Sequence, residues 1–339
     1  MNSFSNICKV VAVAAGKGGV GKSTLSLHLA RYYASKGYQV GLMDADIYGP
    51  SMQKMLPEEI PPSSYEDRII PAQSSGIKLI SMAYFLKDGE AASVRAPIVN
   101  GVIKQFIHSV DWGELDYLII DFPPGTGDIQ LTLLQEAVIS GAVLVTTPQE
   151  IALLDVAKTM AMFRQMQVPI AGLVENMSYC MVGDQKIYPF GNGGGERFAH
   201  DQGIFFLGSV PIDGEISRAC DRGLPLQGGV QENFARIGEL VEEQLEAFDK
   251  LKGVEIQAIH QNDRLEFTIE WTDGKLSHYI FKELQRRCNC AACSEKKREQ
   301  VEEDVEGIRI ENVGNYALKI TFSSGCSKGI YPVSFLRRS

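Results

Sequence analysis

The 339-residue chain reads as an α/β fold, a mostly parallel sheet with helices on both faces, followed by a small α+β domain that holds a cysteine cluster. Three observations predict this. Up to about residue 250, short β-branched apolar runs alternate with segments of helical periodicity, the pattern of parallel strands joined by crossover helices. The first such junction carries Gly-Lys-Gly-Gly-Val-Gly-Lys-Ser-Thr at 16–24, a glycine-rich loop between an apolar strand and a helix. Past Lys252 the segments become short and alternating, with a hairpin signal at Asp273-Gly274. The division expected is therefore 1–252 and 253–339.

In chain order, strands are expected at Cys8 to Ala15, Gln39 to Met43, Ile77 to Ser81, Tyr117 to Ile120, Ala142 to Thr146, Ile170 to Glu175 and Phe205 to Gly208. Their near-continuous hydrophobicity suits strands buried on both faces. Helices are expected at Leu25 to Ser35, Ile98 to Ser109, Ile129 to Ile139, Ile151 to Met166 and about Gln231 to Leu251. Residues 57–76, with Pro57, Pro61, Pro62 and Pro71, read as a surface excursion. In the second domain, Leu265 to Trp271 and Leu276 to Phe281 flank the hairpin turn.

The loop satisfies G-x-x-x-x-G-K-[ST] from Gly16 to Ser23, the pattern of a P-loop NTPase. Gly16, Gly18, Gly19, Val20 and Gly21 allow successive N–H groups to face phosphate oxygens. Lys22 meets the terminal phosphates, Ser23 ligates magnesium and Thr24 opens a helix whose N-terminus favours anions. The ligand expected is ATP with magnesium. Asp44 and Asp46 close the second strand where ligands bind in open α/β sheets, and are read as magnesium environment and water-orienting carboxylate respectively. Asp121 ends another apolar strand as a second magnesium-holding carboxylate. It opens Asp-Phe-Pro-Pro-Gly-Thr-Gly-Asp, in which Gly125 can bring its N–H to a γ-phosphate. That loop is expected to switch between ATP and ADP states. Asn176, after the strand ending at Glu175, and Pro211 in Val-Pro-Ile-Asp read as the base-binding edge.

Composition bounds the function. A net charge of −9 argues against non-specific nucleic-acid binding, which needs lysine and arginine on phosphates. No apolar run approaches eighteen residues, so neither a membrane span nor a membrane partner is expected, and the compartment expected is the cytoplasm. Of seven cysteines, Cys288, Cys290 and Cys293 crowd together, with Cys326 downstream. Four such thiols can close a tetrahedral zinc site or hold an iron–sulfur cluster. Cys8, on an apolar strand, reads as a small core residue, and His28 as solvated or half-buried.

The loop, with its second lysine Lys17, resembles that of the deviant P-loop ATPases, which include septum-site, partition and nitrogenase-reductase-like proteins. The resemblance implies an ATP-sandwich homodimer in which Lys17 reaches the partner's nucleotide and Asn176 reads adenine. Further segments resemble the Mrp branch, the iron–sulfur cluster carrier ATPases: D-A-D-I-Y-G-P-S at 44, R-A-P at 95, D-F-P-P-G-T-G-D at 121, T-P-Q at 147, E-N-M-S-Y at 175 and F-G-N-G-G-G-E-R-F-A at 190. Members of that branch carry C-x-x-C after N-M-S-Y, which in a dimer implies a bridging [4Fe–4S] cluster. This chain has only Cys180 there, and nothing in the sequence brings Cys220 to it. Residues 265–339 are similar to the small zinc-bearing N-terminal domain of gamma-butyrobetaine hydroxylases, with Cys326 where a histidine ligand is usual.

Together these imply a homodimeric ATPase of iron–sulfur cluster assembly or carriage, with apo iron–sulfur proteins as clients. The alternative is a nucleotide-gated scaffold that carries no cluster. A partition or positioning ATPase fits less well, because the helix at about 231–251 is dominated by Glu239, Glu242, Glu243, Glu246 and Asp249.

Overall fold

The computed structural model describes residues 4–46, 49, 51–85, 96–250, 253–286, 288, 304–313, 317–326 and 329–338. The chain divides into two compact units, Met1–Glu196 with Phe206–Leu245, and Arg197–Phe205 with Glu246–Ser339.

In chain order the first unit contains β1 (Ile7–Ala15), α1 (Lys22–Ser35), β2 (Val40–Asp44), α2 (Met52–Met55), β3 (Ser63–Tyr65), β4 (Arg68–Ile70), β5 (Ala72–Ser74), β6 (Ile77–Ser81), α3 (Ala96–His108), β7 (Leu115–Asp121) and α4 (Asp128–Glu136). It continues through β8 (Gly141–Thr146), α5 (Glu150–Gln165), β9 (Ile170–Glu175), β10 (Cys180–Val182), β11 (Gln185–Ile187), α6 (Gly194–Gln202), β12 (Phe206–Ser209), α7 (Gly214–Arg222) and α8 (Gly228–Lys250), of which α6 from Arg197 and α8 from Glu246 belong to the second unit. Eight strands form one sheet in the order β12-β9-β8-β1-β7-β2-β6-β5, parallel except for β5. Its inner strands are buried along nearly their whole length, as crossover helices covering both faces require.

The register sets the site. Asp121 at the end of β7 lies opposite Val13 on one side and Asp44 on the other, so the C-terminal edge gathers carboxylates beside the glycine loop that follows β1. On α1, Tyr33 stacks on Tyr117 of β7 at 4.1 Å between ring centroids. Glu242 of α8 accepts hydrogen bonds from Tyr38 at 2.6 Å and Tyr117 at 3.2 Å. The helix that carries Lys22 is thereby held to the strand that carries Asp121.

Three expectations are corrected. Within residues 57–76, β3 and β4 pair as a hairpin and β5 adds an antiparallel edge strand to the main sheet, so the proline-rich stretch is only partly an excursion. The helix expected to reach Ile139 stops at Glu136. Ala137 is extended, because Ser140 must exchange hydrogen bonds with Val10 to bring β8 beside β1. Cys8 is exposed rather than packed: β1 pairs with β7 from Ile7 but with β8 only from Val11, and full burial begins at Val10.

The second unit has two three-stranded antiparallel sheets, β13-β14-β15 and β16-β17-β18, formed by β13 (Ile256–Gln261), β14 (Glu266–Trp271), β15 (Leu276–Ile280), β16 (Gly307–Val313), β17 (Ala317–Phe322) and β18 (Gly329–Pro332). Short helices α9 (Phe281–Arg286) and α10 (Val333–Arg338) accompany them. Gly274 has φ +81°, the left-handed conformation that the Asp273-Gly274 turn needs. Phe267, Trp271, Phe281, Phe322, Tyr331 and Leu336 pack one core, which includes Cys288 and Cys326.

Gly41 in β2 leaves no room for a side chain, since a Cβ there would lie 2.7 Å from Leu115 Cδ1 and 3.0 Å from the Trp112 ring. Gly41→Val is expected to destabilise the first unit by about 1–3 kcal/mol through overpacking, read as a lower urea midpoint at unchanged slope.

Candidate functional site

The glycine loop leaves β1 at Ala15 and enters α1 at Lys22. Gly19 and Gly21 have φ of +78° and +87°, so a side chain at either would be strained. Gly16 is required for another reason: a Cβ there would sit 2.2 Å from the backbone of Asp155 in α5. Val20 is buried, Gly18 is exposed, Lys17 is half-buried, and Ser23 and Thr24 lie in the first turn of α1.

Lys22, 5% exposed, donates to Asp121 Oδ1 at 2.7 Å and lies 3.8 Å from Asp46 Oδ2. Ser23 donates to Asp121 Oδ2 at 2.6 Å and Ser26 to Asp121 Oδ1 at 2.8 Å. Lys22, Ser23, Asp46 and Asp121 are thus brought together, and Ser26 joins them. Motif reading missed Ser26 because it lies outside the loop pattern; its position one helical turn beyond Lys22 was the available signal.

Asp44 is fully buried. It accepts from Ser81 Oγ at 3.0 Å and from the N–H groups of Asp46 at 3.1 Å and Met52 at 3.4 Å. These bonds hold the turn that carries Asp46, and they place Asp44, expected in the magnesium environment, beside Asp121 and Lys22. Burial, then the neighbouring Asp121 charge, pushes its carboxyl up to about 7, against the opposing pull of Lys22. Burial also raises Asp46, and Lys22 opposes it. Three carboxylates around one lysine make the pocket short of positive charge, which is the chemistry of a divalent-cation site.

The edge expected to bind the base is built from the turn after β9. Met177 has φ +55°, and this left-handed step brings Asn176 back onto the loop, where Nδ2 donates to Val20 O at 2.8 Å. One amide hydrogen of Asn176 is therefore committed to the loop in this structure. Glu175, 1% exposed, accepts from Ser178 Oγ at 2.5 Å and from the Gly195 N–H, tying the turn to the start of α6. Pro211 is buried beyond β12. Gly125, φ +90°, donates its N–H to Ala15 O at 3.1 Å.

The cysteines separate. Cys180 opens β10 opposite Ile187 of β11, so its hairpin supplies no second thiol. Cys220 is buried on α7, with Sγ 3.9 Å from Nε2 of His28 and a hydrogen bond to the Thr24 side chain. His28 is itself buried, which corrects its solvated reading, and burial pushes its pKa down to about 3. In the second unit, Sγ of Cys288 and Sγ of Cys326 lie 3.6 Å apart in the core. With metal–sulfur bonds of about 2.3 Å, two thiolates on a tetrahedral centre sit about 3.8 Å apart, so the pair fits a shared metal. Cys290 and Cys293 lie outside the described residues.

Fold and site together define a P-loop nucleotide-binding protein. The chain belongs to the ParA family described as NUBPL iron-transfer P-loop NTPase, which it matches over residues 6–245, and residues 258–337 match the gamma-butyrobetaine hydroxylase-like N-terminal family. The chloroplastic Fe-S cluster assembly factor HCF101 of Oryza sativa subsp. japonica is 38% identical over 344 residues, covering 96% of this chain and 64% of the rice protein. An iron–sulfur cluster carrier protein of Aquifex aeolicus is 43% identical over 223 residues, 64% of this chain and 61% of that one. The chain thus spans less than two thirds of the length of these two relatives. A solved nucleotide-binding protein of Archaeoglobus fulgidus in complex with ADP matches with TM-score 0.57 at 37% identity, over 68% of this chain and 90% of that one.

A carboxyl raised on folding contributes stability that is present below its unfolded pKa near 3.8 and is lost as pH rises through about 7. Asp44→Asn is expected to flatten the fall in melting temperature of nucleotide-free protein between pH 5 and 8; an unchanged slope would refute this.

Proposed function

We propose that the chain is a magnesium-dependent ATPase acting as a homodimer in iron–sulfur cluster assembly or carriage, with the cluster as cargo for apo client proteins. The observation that carries the ATPase reading is the convergence of Lys22, Ser23 and Asp121 at the mouth of the glycine loop. Family membership and the names of the relatives support the cargo.

In this reading the backbone N–H groups of 16–24 hold the phosphates, and Lys22 leaves Asp121 for the terminal phosphates. Ser23 and Asp121 would hold magnesium, whose role is to neutralise charge on the phosphates. Asp46, poised by Asp44, orients the water that attacks the γ-phosphate in line. Asn176 and Pro211 line the base edge, and Lys17 serves the partner subunit's nucleotide. Residues 1–252 are the ATPase domain. Residues 253–339 hold a structural metal through Cys288, Cys290, Cys293 and Cys326, with zinc favoured by the tight Cys288–Cys326 spacing. The working compartment is the cytoplasm, without nucleic-acid or membrane partners; among the described residues no helix is long and apolar enough to cross a membrane.

A second reading, a nucleotide-gated scaffold without cargo, is favoured by the single thiol of the β10–β11 hairpin. Cluster transfer from reconstituted protein to an apo ferredoxin supports carriage, and its absence supports the scaffold.

Lys22→Ala is expected to lower ATP turnover by at least about a hundredfold, and wild-type turnover would refute the site. Lys17→Ala is expected to bind ATP yet fail to dimerise with it or hydrolyse it, read by light scattering and phosphate release. Metal analysis is expected to return one zinc per chain with no visible absorbance, lost in Cys326→Ser; sulfide-linked absorbance would instead assign a cluster there.

A further inference from the structure

Two consecutive prolines give the loop from Asp121 to Asp128 carbonyls at 123 and 124 with no N–H at either position. Pro123 is buried and Pro124 half-buried, so both carbonyls need donors from elsewhere. Gln130 supplies them. Its side chain, 4% exposed on α4, donates from Nε2 to Pro124 O at 2.6 Å and to Pro123 O at 3.1 Å, using both amide hydrogens. Gly127 leaves the space, since a Cβ there would lie 3.3 Å from Gln130 Oε1.

On the β1 side, the Phe122 N–H donates to Val13 O at 3.0 Å and the Gly125 N–H to Ala15 O at 3.1 Å. The acceptor at Ala15 is the carbonyl immediately before Gly16. Residues 122–124 are therefore anchored from both sides, whereas Thr126 and Gly127 are exposed. The first residue able to change its backbone conformation freely after the prolines is Gly125.

We infer that Gln130 is the positioning residue of the phosphate-sensing loop. By fixing the Pro123 and Pro124 carbonyls it confines the response to nucleotide to the Gly125 peptide, whose N–H exchanges the Ala15 carbonyl for a terminal phosphate oxygen. This rests on the ATP-site reading above. ATP binding depends on residues 16–24 and is expected to survive loss of the staple; alignment of the loop in the transition state is not.

Gln130→Met and Gln130→Glu in the full chain test this. Both keep the side-chain volume and remove the double donor, and Gln130→Glu carries the test alone if the Met variant does not fold. ATP affinity, measured with a fluorescent analogue, should stay within about twofold while kcat falls about tenfold, the size expected when a buried carbonyl loses its partner. Hydrogen exchange in ADP and in a non-hydrolysable ATP analogue should differ only around Gly125 in wild type and across 121–128 in the variants. Wild-type kcat with the wild-type exchange pattern would overturn the role of Gln130, as would affinity and kcat falling together. A wild-type chain that neither binds nor hydrolyses ATP would overturn the nucleotide reading instead.

Discussion

The buried contact between Lys22 and Asp121 is the constraint around which the first unit is arranged. Each group is out of water, so each is tolerable only while the other, Ser23 and Ser26 complete its hydrogen bonds. Removing one partner from such a pair costs about 3–5 kcal/mol, because the remaining charge is left buried alone. In the proposed function, nucleotide binding is an exchange of partners for Lys22, with a cation as the replacement on Asp121.

The same helix distributes this event. At its start α1 carries Lys22 and Ser23; in its last turn, Tyr33 rests on Tyr117 and donates to Gly238 O in α8 at 3.2 Å. Two residues before Tyr33, Arg31 donates to the carbonyls of Leu224 at 2.5 Å, Gly223 at 2.9 Å and Met55 at 3.3 Å, capping the ends of α7 and α2. Since α2 begins at Met52, whose N–H is held by Asp44, both ends of that short helix are tied to the carboxylate edge or to α1. The turn at 175–178 makes a comparable link on the other side, from Val20 through Asn176 and Glu175 to the start of α6. Cys180 follows two residues after this turn.

The second unit meets a different demand. Two small sheets enclose a core of modest size, and a metal that draws thiolates together lowers the entropy such a domain must otherwise overcome. Cys288 and Cys326, 38 positions apart in sequence, are already placed for that. The thiols that a cluster-bearing hairpin would need are missing at Cys180, and Cys220 is turned to Thr24 and His28.

Local chemistry made much of this legible. A glycine loop between strand and helix, aspartates at strand ends and an Asp-Gly turn each state their own geometry, because backbone sterics and short-range hydrogen bonds leave few alternatives. On those grounds the sequence by itself determined the fold class, the position of the phosphate loop, the convergence of Lys22, Ser23, Asp46 and Asp121, and the separate cysteine-bearing domain. Only the tertiary structure decided which partner each buried polar group takes: Asp44 on the Met52 N–H, Gly125 on Ala15, Gln130 across two prolines, His28 against Cys220, and the exposure of Cys8. The reason is that a buried donor or acceptor must be satisfied by whatever long-range packing brings within about 3 Å, and no local pattern of residues encodes that choice.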